Sequence, residues 1–322
     1  MARALLDQFV ASYAAPPEVI VLDMDHCEDA THGQQQLSFY NHHYRSHCYL
    51  PLFLFEGISG KFITAALRPG KRPKGAENAM ILKRVLKHLR AAWPETRIVL
   101  RGDGHFANPE LMQLALEDPH TDFIFGLTGN KVLARLARPF LEENRARHEV
   151  RCENARRLEQ PLPQSTRTYH EADYAAGSWP QSFRVVLKAE VMSLGENPRF
   201  VVTSLTTERA DPRTLYEDLY CARGDMENRI KEQQLDMFSD RTSCHHWWPN
   251  QLRLLLSSLA YILVESIRRL ALKGTELAKA QCGTIRLKLF KIGAVVVRNT
   301  RRVRMHLASS YPYKPLFRDV AS

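Results

Sequence analysis

The hydrophobic positions form short runs early in the chain and helical spacings later. Residues 19–22 are an apolar run after Pro16-Pro17 that leads straight into Asp23 and Asp25, the pattern of a buried strand. Residues 49–55 and 62–67 are two further strands, and residues 56–60 supply the turn that makes them a hairpin. From Ala76 to Trp93 the spacing changes. Met80, Leu82, Val85, Leu86 and Leu89 fall on one helical face, and Pro94 follows its end. Residues 97–100 are a fourth strand, ending in Gly102-Asp103-Gly104. Asn108 caps a short helix that Pro109 begins. Residues 122–127 are a fifth strand. Strand, hairpin, helix, strand, helix, strand predicts an α/β fold with a mixed sheet and helices on its faces.

The rhythm is lost over residues 131–180, which are rich in Arg and Glu and hold a Pro/Gln/Ser/Thr patch at 160–168. Strands return at 183–187 and 199–205, so 131–205 reads as a mostly β insertion. Long helices follow at 212–234 and 249–273, the second Leu-rich and expected to pack under the sheet. Residues 284–306 alternate apolar and basic positions, as strands or a short helix with a basic face would. The expected organisation is a first sheet portion (1–130), the insertion (131–205), closing helices (206–273) and a basic C-terminal segment (274–322).

With 44% hydrophobic and 25% charged residues, the chain can fill a sizeable core, which excludes general disorder. The charge changes the picture more. The net charge is +10, and residues 265–322 alone hold 13 Lys/Arg against 3 Asp/Glu. Residues 1–60 hold 2 Lys/Arg against 7 Asp/Glu. A basic tail of this kind favours a polyanionic partner. Six cysteines without a CxxC pair, and no signal peptide, read as reduced thiols of a cytoplasmic protein. The most apolar stretch, 254–264, is far shorter than the ~20 residues that span a bilayer, so no membrane association is expected. No phosphate-binding loop or dinucleotide fingerprint occurs, so no nucleotide cofactor is expected.

The candidate chemistry lies in carboxylates at element ends. Asp23 and Asp25 are two apart on one strand, so both point to one face, ~7 Å apart. Asp103 follows the fourth strand between two glycines, and Glu227 lies on a late helix. Carboxylates from separate strands and a helix can hold hard divalent cations such as Mg²⁺. Two such ions ~4 Å apart could stabilise the attacking and leaving oxygens of phosphoryl transfer. The Cys and His clusters at 42–48 and 244–246 lack the spacing of a zinc site.

These residues carry a family resemblance. Val21-Leu22-Asp23-Met24-Asp25 with His32-Gly33-Gln34-Gln35, then Arg101-Gly102-Asp103-Gly104-His105-Phe106, then the Tyr-x2-Arg-x3-Glu pattern of Tyr220, Arg223 and Glu227, and the final stretch around Ser310-Tyr311-Pro312-Tyr313 resemble the insertion-sequence transposases of the DDE type. The likeness covers nearly the whole chain. It implies an RNase H-like core with a mostly β insertion before the last catalytic helix. It implies metal-dependent cleavage of DNA at element ends followed by strand transfer to target DNA. Asp23 or Asp25, with Asp103 and Glu227, would hold two Mg²⁺ ions, Mn²⁺ being able to replace them. Tyr220, Arg223 and Lys231 would contact DNA, with a homodimer on the DNA of a bacterial, nucleoid-associated protein. The basic residues Arg286, Arg298, Arg301 and Arg302 read, from the excess charge they carry, as a DNA backbone contact, the alternative being a solvated face. Two rival readings are a nuclease on the same core without strand transfer and an inactive DNA-binding remnant. Two departures bear on them. Gln234 stands where the pattern usually has Lys, and a first strand at residue 19 reads as a frame lacking the N-terminal region of such proteins.

Overall fold

In the computed structural model, which describes residues 1–321, a helix, α1 (Ala2–Ala11), precedes strand β1 (Val19–His26). Three short strands, β2 (Asp29–Ala30), β3 (Phe39–Asn41) and β4 (Ser46–Tyr49), form a small sheet of their own in the order β2-β4-β3. The hairpin of β5 (Leu52–Glu56) and β6 (Phe62–Ala66) follows, then α2 (Gly75–Ala92), β7 (Arg97–Gly102), α3 (Pro109–Leu116) and β8 (Thr121–Leu127). β1 pairs antiparallel with β5 and parallel with β7, and β7 pairs parallel with β8. The sheet centre therefore runs β6-β5-β1-β7-β8, the arrangement expected of an RNase H-like core.

Alternation along β1 sorts its residues into two layers. Ile20, Leu22 and Met24 are buried with Leu82, Leu86 and Leu89 of α2 and Leu111 and Met112 of α3. Asn108 caps α3 as its sequence position requires, its side chain accepting from the Leu111 amide at 3.1 Å. The opposite face of β1 turns Val21, Asp23 and Asp25 toward the late helices.

Residues 131–157 differ from the sequence reading. They form a 27-residue helix, α4 (Lys131–Arg157). Its inward face includes Leu133, Ala137, Leu141, Asn144 and His148, so two polar residues interrupt the apolar stripe. Asn144 Nδ2 donates to the Ala189 carbonyl at 2.9 Å and to Thr168 Oγ1 at 2.8 Å, which satisfies the amide nitrogen in the core, while its Oδ1 has no partner among the described residues. Strands β9 (Ser165–Tyr174), β10 (Phe183–Met192), β11 (Gly195–Glu196) and β12 (Arg199–Thr203) follow. β12 pairs antiparallel with β8, so these strands continue the central sheet to nine strands.

The chain is then helical from 212 to 236: α5 (Pro212–Thr214), a π-helical turn (Leu215–Tyr220), a 3-10 turn (Cys221–Arg223), α6 (Gly224–Lys231) and a second π-helical turn (Glu232–Asp236). Helix α7 (Trp247–Ser266), prolonged by a π-helical turn (Ile267–Ala271), packs on the hairpin, where Tyr261 meets the Phe55 ring edge-on at 5.7 Å. Trp247 anchors its start against Tyr49. Helix α8 (Cys282–Ile285) continues in a π-helical turn to Phe290. The alternating segment beyond it forms a hairpin of β13 (Ala294–Arg298) and β14 (Val303–Leu307), and α9 (Lys314–Ala321) ends the described chain. Among the described residues no helix is long and apolar enough to cross a membrane.

Candidate active site

Register decides the surroundings of the two acids on β1. The parallel pairing sets Asp23 beside Arg101 of β7. Arg101 Nε donates to Asp23 Oδ1 at 2.5 Å and its Nη2 to Oδ2 at 2.7 Å, while Nη1 donates to the Leu219 carbonyl. Both side chains are buried. Gly57 leaves room for the pair, since a Cβ there would stand 2.5 Å from Arg101 and 2.7 Å from Asp23. Burial pushes the Asp23 pKa up against the opposing pull of Arg101.

Asp25 lies one pleat further, at the end of the strand. Its Oδ2 accepts from Arg223 Nη1 at 3.1 Å and its Oδ1 from the His26 amide at 2.9 Å. Burial is the largest influence on it and raises its pKa to about 6. Arg223 works against that rise, and the charges of Asp103 and Glu227 add to it.

Asp103 follows β7, beside β1. Its Oδ1 accepts from the His105 amide at 2.9 Å, and its Oδ2 lies 3.1 Å from His105 Nδ1. Burial alone would raise its pKa. The His105 contacts and Arg223 outweigh burial and hold it below the usual carboxylate value. The hydrogen bond to Asp103 raises the His105 pKa in turn. Glu227, in the first turn of α6, places Oε1 3.2 Å from Arg223 Nη2.

Arg223 is thus the centre of the cluster. It bonds Asp25 and Glu227 directly, and it feels the charge of Asp103. Burial would lower its pKa, but Asp25, Tyr220, Asp103 and Glu227 together raise it. Tyr220, one turn earlier, lies over Gly126 of β8, where a Cβ would come within 2.4 Å of its hydroxyl. A cavity of about 390 Å³ opens here, lined by Gly104, Gly126, Arg199, Tyr216 and Tyr220 among others.

The donor chemistry fits a hard cation, because three carboxylates from β1, the β7 end and α6 share one region and their mutual repulsion is felt at Asp25. Among the described residues no three His, Cys, Asp or Glu side chains close around one cation-sized point. The positive charge between Asp25 and Glu227 is the guanidinium of Arg223.

The other sequence candidates lie apart from one another. Lys231 is exposed at the last position of α6, one turn beyond Glu227. Arg286 Nη1 donates to the Asp236 carbonyl at 2.5 Å, and its guanidinium stands over the Phe238 ring. Arg298, Arg301 and Arg302 are exposed on β13 and in the loop that joins it to β14. Gln234 faces the loop after β1, accepting from Cys27 Sγ at 3.0 Å and donating to the Glu28 carbonyl at 2.9 Å. Sequence reasoning gave no role to Arg101 or His105. His105 had a local signal, two positions after Asp103. Arg101 had none, because its place beside Asp23 depends on strand register.

Over residues 1–322 the sequence matches the family described as Transposase DDE domain group 1. A solved piggyBac transposase, in a cryo-EM synaptic complex with hairpin DNA, is similar in structure with a TM-score of 0.46 and 14% identity. The match covers 89% of this chain and 55% of that one, so the chain spans about half the length of that protein. No curated protein matches the sequence.

Proposed function

Since the chain belongs to the group 1 family of transposase DDE domains, we propose that it is the catalytic core of a DNA transposase, cleaving phosphodiesters at element ends and transferring the freed 3′ end to target DNA. The observation that carries this reading is the gathering of Asp25, Asp103 and Glu227, 202 positions apart at their extremes, around Arg223. Divalent metal ions are general to DDE transposases. We assign Asp25, Asp103 and Glu227 as the residues that would hold two Mg²⁺ ions, replaceable by Mn²⁺, and Asp23 as a structural partner of Arg101. When bound, such ions activate the attacking oxygen and offset charge on the leaving one. The chain's own residues do the rest. His105 fixes the orientation of Asp103 through the contact at 3.1 Å. Arg223 neutralises the carboxylates in the free protein and would bind a DNA phosphate, which a guanidinium takes in bidentate fashion. Tyr220 borders the cavity beside Asp103 and would contact the nucleotide at the scissile bond. Lys231 and the hairpin arginines Arg298, Arg301 and Arg302 would follow the phosphate backbone, and Arg286 would support them by holding the segment at Asp236. The protein would act as a homodimer on DNA in the bacterial nucleoid.

The test is cleavage and joining of duplexes bearing the element ends, with Mg²⁺, with Mn²⁺ and with chelator. Metal-dependent nicking followed by strand-transfer product is expected. Nicking without joining would reduce the assignment to a nuclease, and activity in chelator would remove the metal from it.

A further inference from the structure

Helix α7 is apolar on both sides. Its inner face, with Leu254, Leu255, Tyr261 and Val264, is buried against the β5–β6 hairpin and its surroundings. Its outer face consists of Leu252, Leu256, Leu259 and Leu263, followed by Leu270 on the turn that prolongs the helix, and these five are between 39% and 68% exposed. Trp248, four positions before Leu252, is exposed as well. A surface helix normally turns charged residues to water, and one that is apolar all round is normally buried. From Trp247 to Val264 the single charged residue is Arg253, and its Nε is held by the Arg241 carbonyl at 2.7 Å.

The spacing of the outer leucines identifies what fits them. Leu252, Leu256, Leu259 and Leu263 follow one another at intervals of four, three and four. This is the alternation of a and d positions in a coiled-coil seam, where leucines of one helix insert between those of another. Such a row is complementary to itself, and a two-fold contact sets the same patch of two subunits face to face. The absence of cations on this face is wrong for DNA, whose affinity comes from neutralised phosphates. The open area of the five leucines and Trp248 is roughly 600 Å² per chain, so pairing would cover roughly 1,200 Å², at the lower bound of stable specific interfaces.

We propose that the Leu252–Leu256–Leu259–Leu263 row of α7 is the contact through which two copies of this chain associate. The contact forms without DNA or metal, and it does not depend on the reaction assigned above.

Sedimentation velocity of the full chain at micromolar concentration, in chelator and without DNA, tests it. The wild-type chain sediments as a dimer. Leu256→Lys with Leu263→Lys places ammonium groups in the seam and weakens association by about a hundredfold. The milder Leu259→Gln weakens it in the same direction. Leu194→Lys, at a fully exposed leucine in the turn between β10 and β11, leaves the dimer unchanged. Thermal unfolding establishes that each variant is folded. A monomeric wild-type chain, or a dimer that persists in the folded double variant, overturns the proposal.

Discussion

Arg223 Nη1 lies 3.1 Å from Asp25 Oδ2, joining residues 198 positions apart. Its second nitrogen, Nη2, lies 3.2 Å from Glu227 on the next helical turn. One guanidinium therefore ties the late helical run to the end of the central strand and offsets two of three crowded acids. For Asp23, two residues earlier on β1, Arg101 of the adjacent β7 does the corresponding work in a buried setting. Two aspartates of one strand face thus have different partners and different surroundings, and the difference can be measured.

Asp23 and Asp25 separate stability from activity. Asp23→Ala leaves Arg101 buried without its partner and should cost ~3–5 kcal/mol of stability. Asp25→Ala should abolish metal-dependent cleavage while the fold holds, as should Asp103→Ala and Glu227→Ala. Chemical denaturation and cleavage of element-end DNA, run on the same preparations, check this. A stable Asp23→Ala together with a cleaving Asp25→Ala would reverse the assignment of the first ligand.

The Asp25 pKa, raised from 3.8 to about 6 by burial, has a definite consequence for stability in chelator. Between pH 3.8 and about 6 the folded chain holds this proton and the unfolded chain has lost it. The contribution of the group is therefore full below pH 3.8 and is lost as pH rises through about 6. Asp25→Asn removes that loss. The variant should gain on wild type as pH rises from 4 to 7, by at most about 3 kcal/mol, at 1.36 kcal/mol for each pKa unit. Unfolding midpoints at pH 4 and pH 7 provide the comparison, and a difference independent of pH would show that Asp25 is not an acid with a raised pKa.

Arg223→Lys addresses the centre of the cluster. A guanidinium can bond two carboxylates through two nitrogens at fixed separation, whereas an ammonium is a single point charge. The Lys variant should keep Glu227, four residues away on the same helical run, and lose the Asp25 contact. With the positive charge farther from Asp25, its pKa should rise above about 6. The midpoint pH for Mn²⁺ binding, followed by titration calorimetry, should move upward relative to wild type. An unmoved midpoint would mean that Arg223 does not govern the charge of these acids.

The parts of the fold legible in the sequence are those where one interaction type decides. The apolar run before Asp23, the 3.6-residue spacing of α2, and Asn108-Pro109 at the start of α3 each report a local preference, and each element appears in the structure where the pattern placed it. The exception within α2 is Met80, expected on the face with Leu82 and Leu86, which is 54% exposed, while Asn78 is buried instead. Helix α4 was hidden because Asn144 and His148 sit on its buried face, bonded to Thr168, Ala189 and Thr166, and Pro139 lies within it. Its partners lie on strands that come later in the chain, so no local window contains the reason for burying them. The outward leucines of α7 were hidden in the opposite way. Leucine spacing alone does not say which of two apolar faces meets the core. At the site, spacing placed Asp23 and Asp25 on one face but could not choose between them, since the choice depends on Arg101 in the adjacent strand and Arg223 two hundred positions away.

The hairpin β13–β14 presents exposed arginines of the C-terminal segment. Both of its strands are exposed along their whole length, and the loop joining them carries Arg301 and Arg302 next to Arg298 at the end of β13. No acidic residue lies between Glu276 and Asp319 to offset them. If these three arginines neutralise phosphates, each releases condensed counterions, and the logarithm of affinity falls with the logarithm of salt concentration by roughly 0.9 per contact on duplex DNA. Arg298→Gln, Arg301→Gln and Arg302→Gln combined should flatten that slope by up to roughly 2.7, three contacts at that rate. Affinity should fall by a similar factor for every duplex sequence, because phosphate contacts carry no base information. The side chains are solvent-exposed, so the unfolding midpoint should stay within about 0.5 kcal/mol of wild type. Fluorescence anisotropy on two unrelated duplexes across a salt series reads both quantities. An unchanged slope would place these arginines on a solvated surface, and a loss confined to one duplex would show that the hairpin reads bases.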